Sequence, residues 1–334
     1  MLISRYVLNL VSLGLAAFLA ACSSTPEARH PASLGCKQDP QDPFEPDLRM
    51  PARPGEQNPE KLPCINSALA RPVEILTRSQ VRAYLPANEG SSVSKDEIVF
   101  GNFIHQGKPW IARVRPDAVE SISFNLEYFP AAVPAAHSFL RFHLTPGSEM
   151  TLYPQRSGDR STPVKIRSFV YSVEANGPVG YKYDLLSGLL DKYVIVYRFY
   201  SLEYAAQTMI HELDHLVDQF ELHVSPADRA EVLRFALQES QDNGLNKFYN
   251  TLTKNCTTEP YAALDHAINY RGLNDIRSFL TQHRNPLPTL AERALKARGI
   301  LERKGMPLNQ EIDPTWKPTL QQAKAGGLST TGLK

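Results

Sequence analysis

Two neighbouring segments, residues 117–129 and 138–144, alternate apolar side chains with other residues at every second position. The alternating residues of the first segment are Ile122, Phe124, Leu126 and Tyr128. Successive side chains of a β-strand point to opposite faces, so this alternation predicts strands that bury one face. Residues 150–153 follow a Pro-Gly turn and are predicted as the hairpin partner of the second segment. The first half of the chain therefore favours an antiparallel sheet.

The second half of the chain has helical patterns. Residues 204–220 carry apolar side chains at helical spacing. Ser225 and Pro226 begin a second predicted helix, because proline is favoured at the first helical position after an N-cap serine. Two more helices are predicted over residues 261–269 and 290–297. Strands followed by helices predict an α+β fold, in which helices pack on an antiparallel sheet.

The N-terminus has the layout of an export signal. Arg5 precedes an apolar run over residues 7–20, which is too short to span a membrane comfortably. The run ends in Leu-Ala-Ala-Cys at Cys22, which resembles a bacterial lipoprotein signal whose cysteine is lipidated. Ser23 follows, where an aspartate would resemble an inner-membrane retention signal. We expect residues 1–21 to be removed and lipidated Cys22 to hold the protein on a membrane, with the periplasmic face of the outer membrane favoured.

Four cysteines are present, and export would expose them to an oxidising compartment. With Cys22 lipidated, three remain, so one must stay unpaired. Cys36 and Cys64 flank one proline-rich segment and are predicted to form a disulfide, which would stabilise the fold by roughly 3–4 kcal/mol. Cys256 is then the free thiol. A free thiol in such a compartment needs a reason, and catalysis is one.

The composition divides the chain into four regions. Residues 22–64 are rich in proline and acidic residues and are predicted to form a tether that cannot fold alone. Residues 65–305 are predicted to form the folded domain, and residues 306–334 a loose tail. The net charge is +1, with no basic stripe, so nucleic acid is excluded as a partner. No cofactor is predicted.

Cys256 is the candidate nucleophile. It precedes a predicted helix, and the positive end of a helix dipole favours the thiolate form of a cysteine. The alternative is a buried, unreactive cysteine, which is the commoner case. A nucleophilic cysteine needs a base, usually histidine. Among nine histidines, His137 lies where a loop of small residues enters an alternating strand. A base at a strand entry is held rigidly, although a surface histidine has the same pattern.

Two motifs extend this argument. Residues 135–142 read Ala-Ala-His-Ser-Phe-Leu-Arg-Phe, and residues 249–258 read Tyr-Asn-Thr-Leu-Thr-Lys-Asn-Cys-Thr-Thr. Together they resemble the Lnb N-terminal periplasmic domain family, also called DUF4105, in which a histidine motif lies far upstream of Asn-Cys-Thr-Thr. The resemblance covers roughly residues 95–305. It implies a papain-like fold similar to NlpC/P60 enzymes, in a permuted order that places the histidine before the cysteine.

The resemblance also implies roles for individual residues. Cys256 would be the nucleophile and His137 the general base. Asn255, or a backbone N–H near Cys256, would stabilise an oxyanion. A family glutamate that follows the histidine aligns with Gln155, whose amide oxygen could orient His137. Glu174 is a competing candidate for that third role.

The implied reaction is acyl transfer. Thiolate attack on an ester or amide forms a thioester, which water or an amine then resolves. Two substrate classes remain open. One is lipoprotein N-acyl transfer, with an acyl lipid and a lipoprotein as partners. The other is amide cleavage in peptidoglycan.

A second motif supports a different chemistry. His211-Glu212-Leu213-Asp214-His215 fits the His-Glu-x-x-His pattern, which on one helix places two imidazoles for Zn²⁺ with the glutamate as base. A zinc peptidase is therefore the alternative enzyme, and a non-catalytic envelope-binding lipoprotein is the other alternative. The simplest explanation of the motif is a solvated helix whose charged side chains pair.

Overall fold

A long sheet of mainly antiparallel strands organises the molecule. The computed structural model describes residues 36, 39–47, 49–52, 62–65, 71–129, 135–180, 184–270 and 290–326. The strands in these residues are β1 Glu74–Ile75, β2 Ile98–His105, β3 Lys108–Val114, β4 Val119–Phe129, β5 Ala135–Leu144, β6 Met150–Pro154, β7 Val164–Ile166, β8 Ser168–Asn176, β9 Tyr193–Ser201, β10 Leu216–Leu222, β11 Phe248–Tyr249 and β12 Leu301–Lys304.

Helices lie mainly in the second half. They are α1 Arg78–Tyr84, α2 Ala87–Ser92, α3 Leu185–Leu189, α4 Leu202–Ala205, α5 Pro226–Asn243, α6 Thr258–Ala267, α7 Ala291–Arg298, α8 Leu308–Ile312 and α9 Leu320–Ala325. A 3₁₀ turn covers Pro116–Ala118, and a π-helix covers Ala206–Glu212. No helix in the described part of the chain is both long and apolar enough to cross a bilayer.

The strand order is β12-β10-β4-β5-β8-β9-β2-β3-β6-β7, with β1 beside β2 and β11 beside β9. The β2–β9 pair is parallel, and the other described pairs are antiparallel. An open, mostly antiparallel sheet with several packed helices confirms the predicted α+β class. The first two predicted strands correspond to β4 and β5, which pair along their whole length. Residues 150–153 do form a strand, β6, but it pairs with β3 and β7 and not with β5 as predicted.

The sheet buries both faces. On one face, Leu140 and Phe142 of β5 pack in the same core as Leu233 of α5. On the other face, Phe139 packs in a second core with Ala206 of the π-helix. Because side chains alternate along a strand, β5 contributes to both cores.

Residues 204–220 do not form one helix as their spacing predicts. The helical part ends at Glu212, and residues from Leu216 form β10, where Leu216, Val217 and Phe220 are buried. This strand buries both faces, and Asp218 and Gln219 are buried with hydrogen-bond partners. Its apolar residues therefore do not alternate and keep a helix-like spacing instead. The helix predicted at Pro226 is present as α5.

The described residues between 39 and 52 pack against the domain and do not extend from it as the tether predicted for residues 22–64. Phe44 and Met50 are buried in separate apolar clusters. Phe44 lies so close to β2 that a Cβ at Gly101 would come within 2.7 Å of its ring. The glycine therefore makes room for the packed phenylalanine.

The segment predicted as a loose tail also packs. Leu308 of α8 and Ala323 of α9 are fully buried. The folded domain therefore extends beyond residue 305 at its C-terminal end.

Candidate active site

Cys256 lies in the loop between β11 and α6, directly before the N-cap residue Thr257. Its thiol is free, and the residue is 8% exposed. Asn255 shapes this loop. Its Oδ1 accepts hydrogen bonds from the N–H groups of Thr257 (2.8 Å) and Thr258 (2.9 Å). Its Nδ2 donates to the carbonyl of Thr251 (2.6 Å). Asn255 thus caps α6 and fixes the backbone that carries the thiol.

A strand holds the same loop from the other side. The Ser138 hydroxyl, on β5, donates to the carbonyl of Cys256 (2.8 Å). The Tyr249 hydroxyl lies 3.9 Å from the Cys256 Sγ. The thiol is therefore fixed at the start of a ten-residue helix, where the helix dipole favours a negative charge.

His137 lies next to Ser138 on β5, with its ring partly buried. Its Nε2 lies 2.7 Å from the hydroxyl of Ser172 on β8. Ser172 thus orients the imidazole through Nε2, while Ser138, the next residue of β5, contacts the loop that carries Cys256. The arrangement is a thiol, an imidazole and an orienting hydroxyl, as nucleophilic catalysis by cysteine requires.

The thiol and the imidazole change each other's proton affinity. Burial alone would lower the pKa of His137, but the charge of Cys256 and a hydrogen bond with it raise that pKa to about 9. Burial alone would raise the pKa of Cys256, but the charge of His137 and the same hydrogen bond lower it to about 7. The pair therefore favours thiolate and imidazolium at neutral pH.

A carboxylate lies behind Ser172. Burial alone would raise the pKa of Glu174, but the charges of Arg198 and His137 and a hydrogen bond with Ser172 keep it lowered. Arg198 Nη1 donates to Glu174 Oε2 (2.5 Å). Glu174 thus supports the third position through Ser172 rather than by direct contact with the imidazole.

A comparison with protein-family models matches residues 106–288, more than half of the chain, to the Lnb N-terminal periplasmic domain. The chain belongs to the Lnb N-terminal periplasmic domain family. The matched residues include both His137 and Cys256. Comparisons with curated proteins and with solved structures found no match. As a member of the Lnb family, the protein is an envelope protein with a periplasmic domain.

The predicted roles of Gln155 and Asn255 differ from their contacts in this Lnb domain. Gln155 Oε1 accepts from the N–H of Asn102 (2.6 Å), and its Nε2 donates to Asp42 (2.6 Å). These contacts occupy both ends of the amide, so Gln155 is not the residue that orients His137. The Asn255 amide bonds to the loop backbone through Oδ1 and one Nδ2 hydrogen, so it caps α6, and its role as an oxyanion donor stays a prediction.

The His-Glu-x-x-His segment does not form the helix that a zinc site requires. The π-helix ends at Glu212, and Asp214 has a left-handed backbone with φ of 53°. His211 is exposed, whereas His215 is buried and bonds to Glu127 through Nδ1 (2.7 Å). The described residues contain no group of three or more potential metal ligands. The turn at Asp214 therefore separates the two histidines that the zinc hypothesis needs on one helical face.

Sequence reasoning missed Ser172 and Ser138. Ser138 follows the predicted base directly, so its position next to His137 was a usable signal. Ser172 pairs with Phe139 across β5 and β8, a register that the sequence alone does not define.

The predicted disulfide lies within the described residues, and the structure confirms it. Cys36 and Cys64 form a disulfide, with their Cα atoms 5.4 Å apart. The predicted signal, residues 1–21, and the predicted lipidation site, Cys22, lie outside the described residues.

Proposed function

We propose that this Lnb family member is a cysteine-dependent acyl hydrolase or acyltransferase that acts on an ester or amide in the cell envelope. The observation that carries the proposal is that strand β5 brings His137 to the Cys256 loop: Ser138, the next residue, donates to the Cys256 carbonyl (2.8 Å). Each of the two groups also shifts the pKa of the other towards its charged form. A structural cysteine has no need of such a partner, and perturbed titration in a coupled pair is typical of catalytic groups.

The first half of the reaction would form an acyl-enzyme. The Cys256 thiolate attacks the carbonyl carbon, and a tetrahedral intermediate forms with the negative charge on the former carbonyl oxygen. Collapse of the intermediate breaks the bond to the leaving alcohol or amine, which takes a proton from the His137 imidazolium. The product is a thioester on Cys256 and a neutral imidazole.

The second half would release the acyl group. Neutral His137 takes a proton from water or from an acceptor amine as that molecule attacks the thioester. The thiolate leaves, and the ion pair is restored. Water gives a hydrolase and an amine gives an acyltransferase, so the chemistry of Cys256 and His137 is the same for both substrate classes, lipoprotein N-acyl transfer and peptidoglycan amide cleavage.

Asn255 holds the loop that would supply the oxyanion donor. Its Oδ1 already accepts from the N–H groups of Thr257 and Thr258, and its Nδ2 donates to Thr251. We assign the role to the backbone N–H of Cys256, which lies at the start of α6. We also propose that lipidated Cys22 anchors the domain to the periplasmic face of the outer membrane, where acyl lipids and lipoproteins are at hand.

An acyl-enzyme trapping experiment tests the proposal. Purified protein reacts with p-nitrophenyl butyrate, and the reaction is quenched in acid. The protein is then digested, and the mass of the peptide that contains Cys256 is measured by mass spectrometry. We expect a butyryl adduct that neutral hydroxylamine removes, as it removes thioesters. His137→Ala should abolish the adduct.

His143→Ala is the matched control. His143 lies on the same strand and also contacts a serine of β8, Ser168, at 2.6 Å, but its pKa is lowered rather than raised. This variant should keep the adduct. Absence of any adduct on Cys256, or an adduct that forms equally well in His137→Ala, would contradict the proposal.

A further inference from the structure

A buried carboxylate lies directly across the sheet from His137. Glu127 of β4 is the register partner of His137 in β5. Directly opposed residues of an antiparallel pair share a face, with Cβ atoms about 5 Å apart. Glu127 is 5% exposed, and its charge is among the influences that favour the protonated imidazole.

His215 holds this carboxylate in place. Its Nδ1 lies 2.7 Å from Glu127 Oε1, and the two side chains are 10% and 6% exposed. The ring of Phe129 packs edge-on against His215, with centroids 5.4 Å apart. Burial and a fixed partner leave Glu127 little freedom to turn away from His137.

The C-terminal helices support the backbone that carries His215. Asn309 of α8 donates to the carbonyl of His215 (2.8 Å), and Gln322 of α9 donates to the carbonyl of Asp214 (2.7 Å). Both helices lie outside the residues that match the family model. The two C-terminal helices thus hold the backbone of His215, whose side chain contacts Glu127 opposite His137.

We infer that Glu127, held by His215, is a positioning residue that stabilises the protonated form of His137 and so the thiolate of Cys256. This inference rests on the proposed function, since it concerns the same thiol and imidazole. It gives His215 a role other than metal binding.

Two carboxylates act on His137, and their partners differ. Glu174 is bonded to Arg198, which is always charged and offsets most of the carboxylate's field. Glu127 is bonded to an imidazole, which offsets the carboxylate only when protonated. Glu127 is therefore the one of the two carboxylates whose partner is not a permanent cation. The charged and titratable groups around the imidazole are Cys256 on α6, Glu127 on β4, Glu174 on β8, Arg198 on β9 behind Glu174, and His215 before β10 behind Glu127.

The test measures thiolate formation and needs no substrate. The rate at which iodoacetamide alkylates Cys256 is followed by peptide mass spectrometry at a series of pH values in the full-length protein. In the wild-type protein the alkylation rate should reach half of its maximum near pH 7, which we call the midpoint. Glu127→Gln should raise the midpoint and slow alkylation at pH 7 by about three- to tenfold, since one pKa unit corresponds to tenfold.

Variants of the two motif histidines separate positioning from a general structural role. His215→Leu removes the partner of Glu127 and should shift the midpoint in the same direction as Glu127→Gln. His215→Asn keeps a donor close to the position of Nδ1 and should restore most of the wild-type profile. His211→Gln, which changes the exposed histidine of the same segment, should leave the profile unchanged.

The outcomes are distinguishable. An unshifted midpoint in folded Glu127→Gln overturns the inference alone. If Glu127→Gln does not fold, the test is the comparison of His215→Leu with His215→Asn. Identical pH profiles of alkylation in these two variants overturn the inference. If wild-type Cys256 instead alkylates like an ordinary thiol, and His137→Ala changes nothing, the proposed function fails and the inference falls with it.

Discussion

Two buried polar clusters of the molecule differ in what their protons can do. The anchor cluster, Asp42, Arg71, Asn102 and Gln155, joins fixed donors to fixed acceptors. Arg71 Nη1 donates to Asp42 (2.5 Å), and Gln155 donates to the same carboxylate. The thiol cluster, Cys256, His137 and Ser172, contains two titratable groups: the pKa of Cys256 is lowered to about 7 and that of His137 is raised to about 9.

The difference shows how burial leads either to rigidity or to reactivity. A permanent charge that is buried with all its partners costs desolvation but holds distant segments in one arrangement. The anchor cluster does this for the N-terminal segment around Asp42. In the thiol cluster burial strengthens the interaction between two titratable groups, so a small environment change moves a proton.

The largest expected effect is a loss of activity, without a loss of stability, when the thiol cluster is changed at Cys256. Cys256→Ala should lower acyl transfer at least about 10³-fold, because the nucleophile is lost. Its free energy of unfolding should change by no more than about 1 kcal/mol, since alanine fits the same space. Turnover of an ester substrate and urea denaturation measure the two quantities. Substantial turnover by the variant would remove the cysteine from the mechanism.

The next effect concerns stability alone. Asp42→Ala removes the carboxylate that lies nearest the buried Arg71 guanidinium, which keeps its longer contacts with Glu45 (3.5 Å) and Asn102 (3.3 Å). This variant should reduce the free energy of unfolding by about 3 kcal/mol. Asp47→Ala breaks the exposed pair with Arg49 and should cost less than about 1 kcal/mol. Urea denaturation compares the two variants. Equal stability losses would show that the anchor cluster does not hold the fold.

The thiol cluster should impose a pH window on turnover. The Cys256 pKa is lowered to about 7, so thiolate is lost as the pH falls below 7. The His137 pKa is raised to about 9, so imidazolium is lost as the pH rises above 9. Turnover should decline by about tenfold per pH unit beyond either limit. The pH profile of the initial rate measures both limbs, and a profile that keeps rising above pH 9 would exclude imidazolium as the proton donor.

The smallest effects contrast the polar residues that support each cluster. Ser172→Ala removes the contact with His137 Nε2 and should lower turnover by about three- to tenfold, as the loss of one hydrogen bond does. Gln155→Ala should lower the free energy of unfolding by about 1–3 kcal/mol and leave turnover per folded molecule unchanged. Initial rates of ester turnover, divided by the folded fraction of each sample, compare the two variants. If Gln155→Ala loses turnover and Ser172→Ala does not, Gln155 and not Ser172 would be the residue that orients His137.

The sequence predicted the parts of the fold that local chemistry determines. Alternation identified β4 and β5, and Ser225 with Pro226 identified the start of α5, because side-chain period and capping act within a few residues. The α+β class followed from these elements. The Asn-Cys-Thr-Thr motif and the histidine motif also indicated the family correctly.

The predictions that failed depend on strand register, on an unusual backbone conformation or on packing between distant segments, none of which a local pattern defines. Ser172 lies 35 residues after His137, farther along the chain than Gln155, yet the pairing of β5 with β8 brings Ser172 to the ring. His215 resembled a metal ligand because a three-letter motif says nothing about the left-handed residue Asp214. Phe44 looked like part of a tether, since its segment has too few apolar residues to fold without the domain.

The disulfide has a consequence for how the chain oxidises. Cys36 and Cys64 are 28 residues apart, whereas Cys64 and Cys256 are separated by about 190 residues. Each doubling of a loop costs about 0.6 kcal/mol in closure entropy, so the shorter ring is favoured by about 1.7 kcal/mol in an unfolded chain. That difference corresponds to more than tenfold selection, on the order of 18-fold, before any native contact exists. Spacing alone therefore biases oxidation towards the Cys36–Cys64 pair and favours a free thiol at Cys256, the proposed nucleophile.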